Sequence, residues 1–199
     1  MKKLLMIAAA SVILASCSNE RGIAPAVAEK TDFETLTERI TADPKDAEAW
    51  YRLADLYNRS GMYPKEVDAL SKVIALRPDM GYAYMELGAA YNRLGRYQEA
   101  VNNLRKATKY FPRYPVLYNN LAVTYGKLGN VEQEVVFLKK AISLRPRYGT
   151  ARYNLGMVSL RRGERSEAFR QYEELKKFDE AAAGALKSEI DKILKARQP

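Results

Sequence analysis

Large apolar residues recur along the chain with the spacing of one face of a helix, and the same pattern then returns at a fixed interval. Four segments align without gaps, and their first residues lie 34 residues apart, at Ala47, Gly81, Pro115 and Gly149. When each segment is numbered from that residue, positions 4, 7, 8 and 11 form an amphipathic stripe. In the first segment these positions hold Trp50, Leu53, Ala54 and Tyr57. The pattern predicts a helix at the start of each unit.

Glycine and proline mark the ends of the predicted helices. Position 15 of every unit is a glycine, which permits the left-handed turn that ends a first helix. A second helix follows, with mostly apolar residues at positions 24 and 27. Proline stops a helix because it has no amide hydrogen to donate and crowds the preceding turn, and it recurs at Pro44, Pro78, Pro112 and Pro146. Each unit is therefore predicted to be a helix-turn-helix.

These positions resemble the W-L-G-Y-A-F-A-P pattern of the tetratricopeptide repeat family. The resemblance implies an all-α, right-handed α-solenoid of four units, at residues 47–80, 81–114, 115–148 and 149–180. Apolar residues at Phe33, Leu36 and Ile40 predict a leading helix at residues 33–46. A further apolar stripe that includes Leu186 and Ile190 predicts a C-terminal capping helix at residues 181–196, which would cover the last unit.

Two kinds of position depart from the family pattern. Position 20 is usually alanine, but it is Glu66 in unit one and Glu134 in unit three. A buried unpaired carboxylate is costly, so we expect the second helix there to be rotated or shifted until the carboxylate reaches water. Unit four has Arg152 and Ser159 where large apolar residues are expected, which is reasonable for a terminal repeat with no further unit to bind.

The resemblance also implies a concave groove lined by positions 2, 5, 9 and 12 of the first helices. These positions are acidic and amide-bearing at the N-terminal end and more apolar toward the C-terminal end. Asparagine can hydrogen-bond an extended peptide, and tyrosine and methionine offer adaptable contact area. For Met157 and Leu160, packing beneath the capping helix is an equal alternative. The predicted partner-binding residues are Tyr51, Asp55, Asn58, Tyr82, Met85, Asn92, Asn119, Val123, Tyr153 and Met157.

Position 13 is basic in every unit and forms a candidate ladder of Arg59, Arg93, Lys127 and Arg161. Such a ladder would suit an acidic partner or a glycan. The alternative is local, because a cation near the C-terminal end of a helix is favoured by the helix dipole by about 0.3–1 kcal/mol. Both interpretations remain open at this point.

The N-terminus resembles a bacterial lipoprotein signal peptide at residues 1–16. Lys2 and Lys3 precede a short apolar run, and Leu14-Ala15-Ser16-Cys17 fits a lipobox. The resemblance implies a lipid on Cys17, with residues 17–32 as a flexible tether. Asp after the cysteine favours inner-membrane retention in enteric-type sorting, so Ser18 indicates the outer membrane, facing the periplasm, if the source is Gram-negative. The alternative is an ordinary secretory signal.

Composition excludes most chemistry. The 199 residues include no histidine and one cysteine, so the commonest general base and the usual zinc ligand sets are missing. We find no phosphate-binding, dinucleotide-binding, metalloprotease or nucleophile-elbow motif. We therefore predict no enzyme activity, no metal, no cofactor and no small-molecule substrate. The net charge of +9 would ordinarily suggest nucleic acid, but an exported, lipid-anchored protein meets little of it.

The function predicted from these features is a lipid-anchored adaptor or scaffold of the bacterial cell envelope. It would bind peptide segments or partner proteins in the groove, and one version is an assembly or pilotin-like lipoprotein. The alternative is binding of envelope glycan or anionic lipid through the basic edge and the 14 tyrosines.

Overall fold

The computed structural model describes residues 31–195, and this part of the chain contains ten α-helices and no strand. None of these helices is both long enough and apolar enough to cross a membrane. Cys17, the predicted signal peptide and most of the predicted tether lie outside the described residues. The helices are α1 (Asp32–Ala42), α2 (Ala47–Arg59), α3 (Tyr63–Leu76), α4 (Gly81–Arg93), α5 (Tyr97–Tyr110), α6 (Pro115–Lys127), α7 (Val131–Leu144), α8 (Gly149–Arg161), α9 (Arg165–Lys176) and α10 (Glu180–Lys195).

The helices pack in the order of the chain. Each one contacts the helix before it and the helix after it, and α10 also contacts α8. The first helices α4 and α6 touch directly, so first helices of adjacent units lie side by side. This arrangement of four helix pairs between a leading and a final helix confirms the predicted α-solenoid fold.

One leucine position anchors the core of three units. Leu70, Leu104 and Leu138 at position 24 are completely buried. The central cluster includes Leu104, Leu121 and Leu155 from three different units, so the apolar core continues across the unit boundaries. Burying a leucine side chain stabilises a fold by about 1.5–3 kcal/mol, and repetition of this contact joins each unit to the next.

The glycines serve two different purposes. Gly61, Gly95, Gly129 and Gly163 have φ between 70° and 77°, which confirms the predicted left-handed turns. Gly88 instead makes space, because a Cβ there would lie 2.6 Å from Cγ of Leu104 on its own second helix. At the same unit position, a Cβ on Gly156 would lie 2.5 Å from Cδ2 of Leu186 on α10. In unit four the final helix therefore occupies the space that the second helix fills in unit two.

Both ends of the array are covered. At the N-terminus Leu36 is buried with Leu53, and the ring centroids of Phe33 and Tyr57 lie 5.5 Å apart. The helix begins at Asp32, inside the predicted tether, because Thr31 and Glu34 form a reciprocal capping box. At the C-terminus Leu186 and Ile190 are buried against α9 and α8.

The predicted exposure of the two position 20 glutamates is wrong. Glu66 is 1% exposed and Glu134 is 7% exposed, and both lie in regular helix. The second helix has not turned them toward water, and each carboxylate forms an ion pair with a cation from the next unit, close for Glu134 and longer for Glu66. Arg93 of unit two faces Glu66, and Arg161 of unit four faces Glu134.

Arg152 also differs from expectation, since its side chain is only 12% exposed. Its Nε donates to the carbonyl oxygen of Pro146 at 2.7 Å, and its Nη1 donates to Oε1 of Gln171 at 2.9 Å. Trp50 and Tyr118 at the same unit position donate to Pro44 and Pro112 in the same way. The arginine therefore keeps the hydrogen bond of the aromatic residue that it replaces.

Candidate partner-binding groove

We define the groove face as positions 2, 5, 9 and 12 of the first helices α2, α4, α6 and α8. Side-chain hydrogen bonds join consecutive first helices at or beside this face. Tyr51 donates to Glu86 at 2.7 Å, Asn92 donates to Thr124 at 2.7 Å, and Asn154 donates to Asn119 at 3.1 Å. In each bond the donor and the acceptor lie in adjacent units. Three of the predicted partner-binding residues, Tyr51, Asn92 and Asn119, are therefore already engaged in holding neighbouring units together. Asn119 is only 6% exposed.

The centre of the groove face has two exposed apolar side chains. Tyr82 on α4 is 53% exposed and Val123 on α6 is 40% exposed. The Tyr82 ring lies against Phe111, with centroids 4.4 Å apart, so a neighbouring aromatic side chain orients it. Met85 is half-buried and packs against the central core. The accessible apolar area on this face therefore belongs mainly to Tyr82 and Val123.

The C-terminal end of the groove face is largely covered. Tyr153 and Met157 pack against a buried cluster that includes Leu186 of α10, and Leu160 in the same cluster is 8% exposed. The alternative of packing beneath the final helix thus describes Met157 and Leu160, and Tyr153 packs against the same cluster. At the opposite end, Asp55 is exposed and pairs with Arg59 at 2.6 Å, while Asn58 is half-buried.

A group of carboxylates lies between units one and two. The Tyr51 hydroxyl donates to Oε1 of Glu86 at 2.7 Å, and burial followed by this bond raises the pKa of Tyr51. The pKa of Glu66 is raised to about 7, mainly by burial; Arg93 lowers it, and the charges of Glu86 and Asp55 contribute to the rise. Burial is also the main cause that raises the pKa of Glu86. We call Tyr51, Asp55, Glu66 and Glu86 the acidic cluster.

The four residues of the basic ladder have different surroundings. Arg59 pairs with Asp55 of its own helix. Nη2 of Arg161 donates to both carboxylate oxygens of Glu134, at 2.6 and 2.8 Å. Nη1 of Arg93 lies 3.7 Å from Oε1 of Glu66, and its guanidinium lies over the Tyr63 ring. Lys127 is exposed. Three of the four cations are thus paired within the chain.

Several residues that shape this face were not predicted. Glu86, Thr124 and Asn154 accept or donate the bonds between units, and Phe111 orients Tyr82. The sequence does contain one signal for these contacts, because position 6 is polar in every unit: Arg52, Glu86, Asn120 and Asn154. A polar residue repeated beside the packing stripe indicates a contact with the adjacent first helix.

Two clefts on the described chain are lined by charged side chains, many of them paired. One of about 280 Å³ lies between α1 and α2, where Asp32, Arg39 and Arg52 line it together with Asp55 and Arg59. Another of about 390 Å³ lies beside Arg152 and Gln171. Across residues 31–195, no three His, Cys, Asp or Glu side chains are placed to hold a metal ion.

The geometry defines a class of protein: an α-solenoid of helix pairs, with a continuous wall of first helices. Models of tetratricopeptide repeats match the chain at residues 31–83, 67–101 and 116–148, and a model described as a TPR repeat matches residues 90–129. These matches span more than half of the 199 residues. The chain belongs to the tetratricopeptide repeat family, whose repeats are protein-interaction modules, and its fold is that of an interaction scaffold.

Solved structures agree on the fold. A crystal structure of MamA has a TM-score of 0.72 at 24% identity, covering 76% of this chain and 89% of that one. MamA from Desulfovibrio magneticus RS-1, from residue 41, has a TM-score of 0.72 at 21% identity, covering 75% and 84%. YrrB, described as a TPR protein with an unusual peptide-binding site, has a TM-score of 0.64 at 22% identity, covering 80% and 85%. At these identities the likeness shows the fold alone. No curated protein sequence matches the chain.

Proposed function

We propose that the protein is a lipid-anchored adaptor of the bacterial cell envelope that binds a segment of a partner protein along its groove face. One observation carries the binding part of the proposal. Tyr82 and Val123 are exposed on a wall whose neighbouring polar groups are bonded between units. Large apolar side chains held on a rigid, ordered surface are the usual anchors of protein interfaces.

The anchoring part rests on the sequence around Cys17. The cysteine follows an apolar run and two small residues, as in bacterial lipoproteins, and two or three acyl chains hold a protein durably on a membrane. In a Gram-negative source, Ser18 favours the outer membrane, so the repeats would face the periplasm. An assembly or pilotin-like role is one specific version of this proposal.

The groove part is tested by affinity capture from detergent-solubilised membranes. The variant Tyr82→Ala with Val123→Ala removes the exposed apolar area and leaves the bonds between units in place. The matched control is Val136→Ala with Phe169→Ala, two exposed apolar residues on second helices. We expect the first variant to lose captured proteins that the wild type and the control both retain. Equal capture by both variants would reject the groove face as the binding surface.

The anchor is tested by metabolic labelling with a clickable palmitate analogue and by membrane fractionation. We expect the wild type to be labelled and to sediment with membranes. Cys17→Ala should lose the label, whereas the matched control Ser18→Ala should keep it. Labelling of Cys17→Ala at the wild-type level would show that this cysteine is not the lipid site.

We do not propose the alternative of glycan or anionic-lipid binding through the basic edge and the tyrosines. Many of these groups already contact one another within the described chain. The cations of Arg96, Lys106 and Lys140 lie over the rings of Tyr91, Tyr84 and Tyr118 at 4.6, 5.5 and 5.9 Å. Arg59 and Arg161 pair with carboxylates. Fewer cations and rings are therefore available to an outside ligand.

A further inference from the structure

Two carboxylates of the acidic cluster, at the N-terminal end of the groove, share one guanidinium group. The cluster contains three carboxylates, on Asp55, Glu66 and Glu86, and the charge of Arg93 acts on both Glu66 and Glu86. Asp55 uses Arg59 in a 2.6 Å ion pair, which leaves Arg93 for the other two. Among residues 31–195 no ion pair includes Glu86, whose one hydrogen bond is from the Tyr51 hydroxyl.

The matching interface in the same chain shows what a satisfied site looks like. Glu134 and Arg161 occupy the unit positions of Glu66 and Arg93, and one guanidinium nitrogen reaches both carboxylate oxygens at 2.6 and 2.8 Å. Arg93 stays 3.7 Å from Oε1 of Glu66, beyond hydrogen-bond distance. Oε2 of Glu66 is buried and has no hydrogen-bond partner in the described chain. The cluster therefore contains an almost fully buried carboxylate with an unsatisfied oxygen.

The raised pKa values of the cluster also favour binding of a cation. Burial raises the pKa of Glu66 to about 7 and raises the pKa of Glu86, and nearby carboxylates add to both effects. Ionised carboxylates in such a place are stabilised by a cation that approaches within a few ångströms. The chain as a whole has a net charge of +9, so this acidic character is a local property of the groove.

We propose that Asp55 and Glu86, beside the buried carboxyl group of Glu66, receive a lysine or arginine side chain from the partner segment. This inference rests on the proposed function and names the chemistry of the partner. An organic cation fits better than a metal ion, because no three acidic groups of the described residues are close enough to coordinate one. The bound ammonium or guanidinium contacts Glu86 and Asp55, while Glu66 remains buried. Tyr51 holds the Glu86 carboxylate in place.

The direct test uses the full chain in detergent micelles, labelled with ¹⁵N, and three capped pentapeptides of alanine with a variable central residue. The central residue is lysine, arginine or norleucine, which has the aliphatic length of lysine without the charge. We expect the lysine and arginine peptides to produce saturable shifts of amide resonances around Tyr51 and Glu86. The norleucine peptide should produce none. Equal binding by norleucine would overturn the proposal, because the charge would then contribute nothing.

The variant Glu86→Gln removes the charge and keeps an oxygen that the Tyr51 hydroxyl can donate to. We expect it to weaken binding of the lysine peptide about tenfold, the usual loss for a charge-assisted hydrogen bond. Glu99→Gln, on α5 and paired with Arg96, is the matched control and should bind as the wild type does. Circular dichroism checks that each variant is folded, and Asp55→Asn replaces Glu86→Gln if the latter is not. Wild-type affinity in the folded charge variant would overturn the proposal.

The membrane capture experiment separates this inference from the proposed function. If Glu86→Gln retains every protein that Tyr82→Ala with Val123→Ala loses, the groove binds partners without a cationic side chain in the cluster. If Glu86→Gln and the double variant lose the same protein, both proposals are supported. If neither loses any, both are wrong.

Discussion

Replacing Glu66 with glutamine should make the protein more stable than the wild type at about pH 8, and this gain should disappear at about pH 5. The reason is that burial raises the pKa of Glu66 in the folded protein to about 7, from an ordinary value of 4.5. Between about pH 4.5 and pH 7, Glu66 keeps its proton in the folded protein but has released it in the unfolded chain. The free energy of unfolding therefore falls as the pH rises through this window, and glutamine has no proton to lose.

The expected size follows from the pKa difference. Each pKa unit corresponds to about 1.4 kcal/mol, so the ionised carboxyl destabilises the fold by about 3 kcal/mol above pH 7. Glutamine avoids this cost but places an amide where Oε2 of Glu66 already lacks a partner, at a cost of about 1 kcal/mol. The net gain should be about 2 kcal/mol at pH 8.

Urea unfolding, monitored by far-ultraviolet circular dichroism, measures the free energy of unfolding at pH 5 and at pH 8. The matched control is Glu134→Gln, at the same unit position, which weakens the two-point ion pair with Arg161. It should lower the free energy of unfolding by about 1–2 kcal/mol at pH 8, opposite in sign to Glu66→Gln. A loss of stability in Glu66→Gln at pH 8, or an equal gain at pH 5, would refute the electrostatic account of this site.

Three further predictions concern the ion pairs between units, the packing of glycines and a helix cap. Arg161→Met should lower the free energy of unfolding by about 2 kcal/mol and Arg93→Met by much less, measured by urea unfolding, because only Arg161 makes close bonds to its buried glutamate. Gly88→Ala should lower the melting temperature through its clash with α5, whereas Gly184→Ala, which meets no atom within 4 Å, should raise stability by about 0.5–1 kcal/mol. Thr31→Ala should increase amide hydrogen exchange in the first turn of α1, at a cost of about 1 kcal/mol.

The sequence predicted the array well because its physical signal is periodic. The left-handed glycines, the buried leucines at position 24 and the helix starts repeat every unit, so each copy supports the assignment of the others. Contacts between units have no such signal. The bond from Tyr51 to Glu86 joins residues 35 positions apart, and neither residue alone indicates the other. The partners of Glu66 and Glu134 were missed for the same reason, because both belong to the next unit.

The C-terminal end shows a different limit of prediction from the sequence. Gly88 makes space for the second helix of its own unit, and the repeat alone would predict the same for Gly156 at the same position. In the structure Leu186 of α10 takes that space, and Tyr153 and Met157 lie against the same cluster. A repeat pattern specifies how units pack on identical neighbours, and it contains no information about a final helix that follows a different pattern.

The ion pairs between units alternate along the array, which determines how the array can be shortened. Glu66 with Arg93 and Glu134 with Arg161 join units one to two and three to four, whereas position 20 of unit two is Ala100. The bonds from Tyr51 and to Asn119 follow the same alternation. These contacts therefore repeat every two units, although the bond from Asn92 to Thr124 joins units two and three. A deletion of residues 81–148 would bring Arg161 to Glu66 and preserve the motif, so shortened versions of the protein should be made two units at a time.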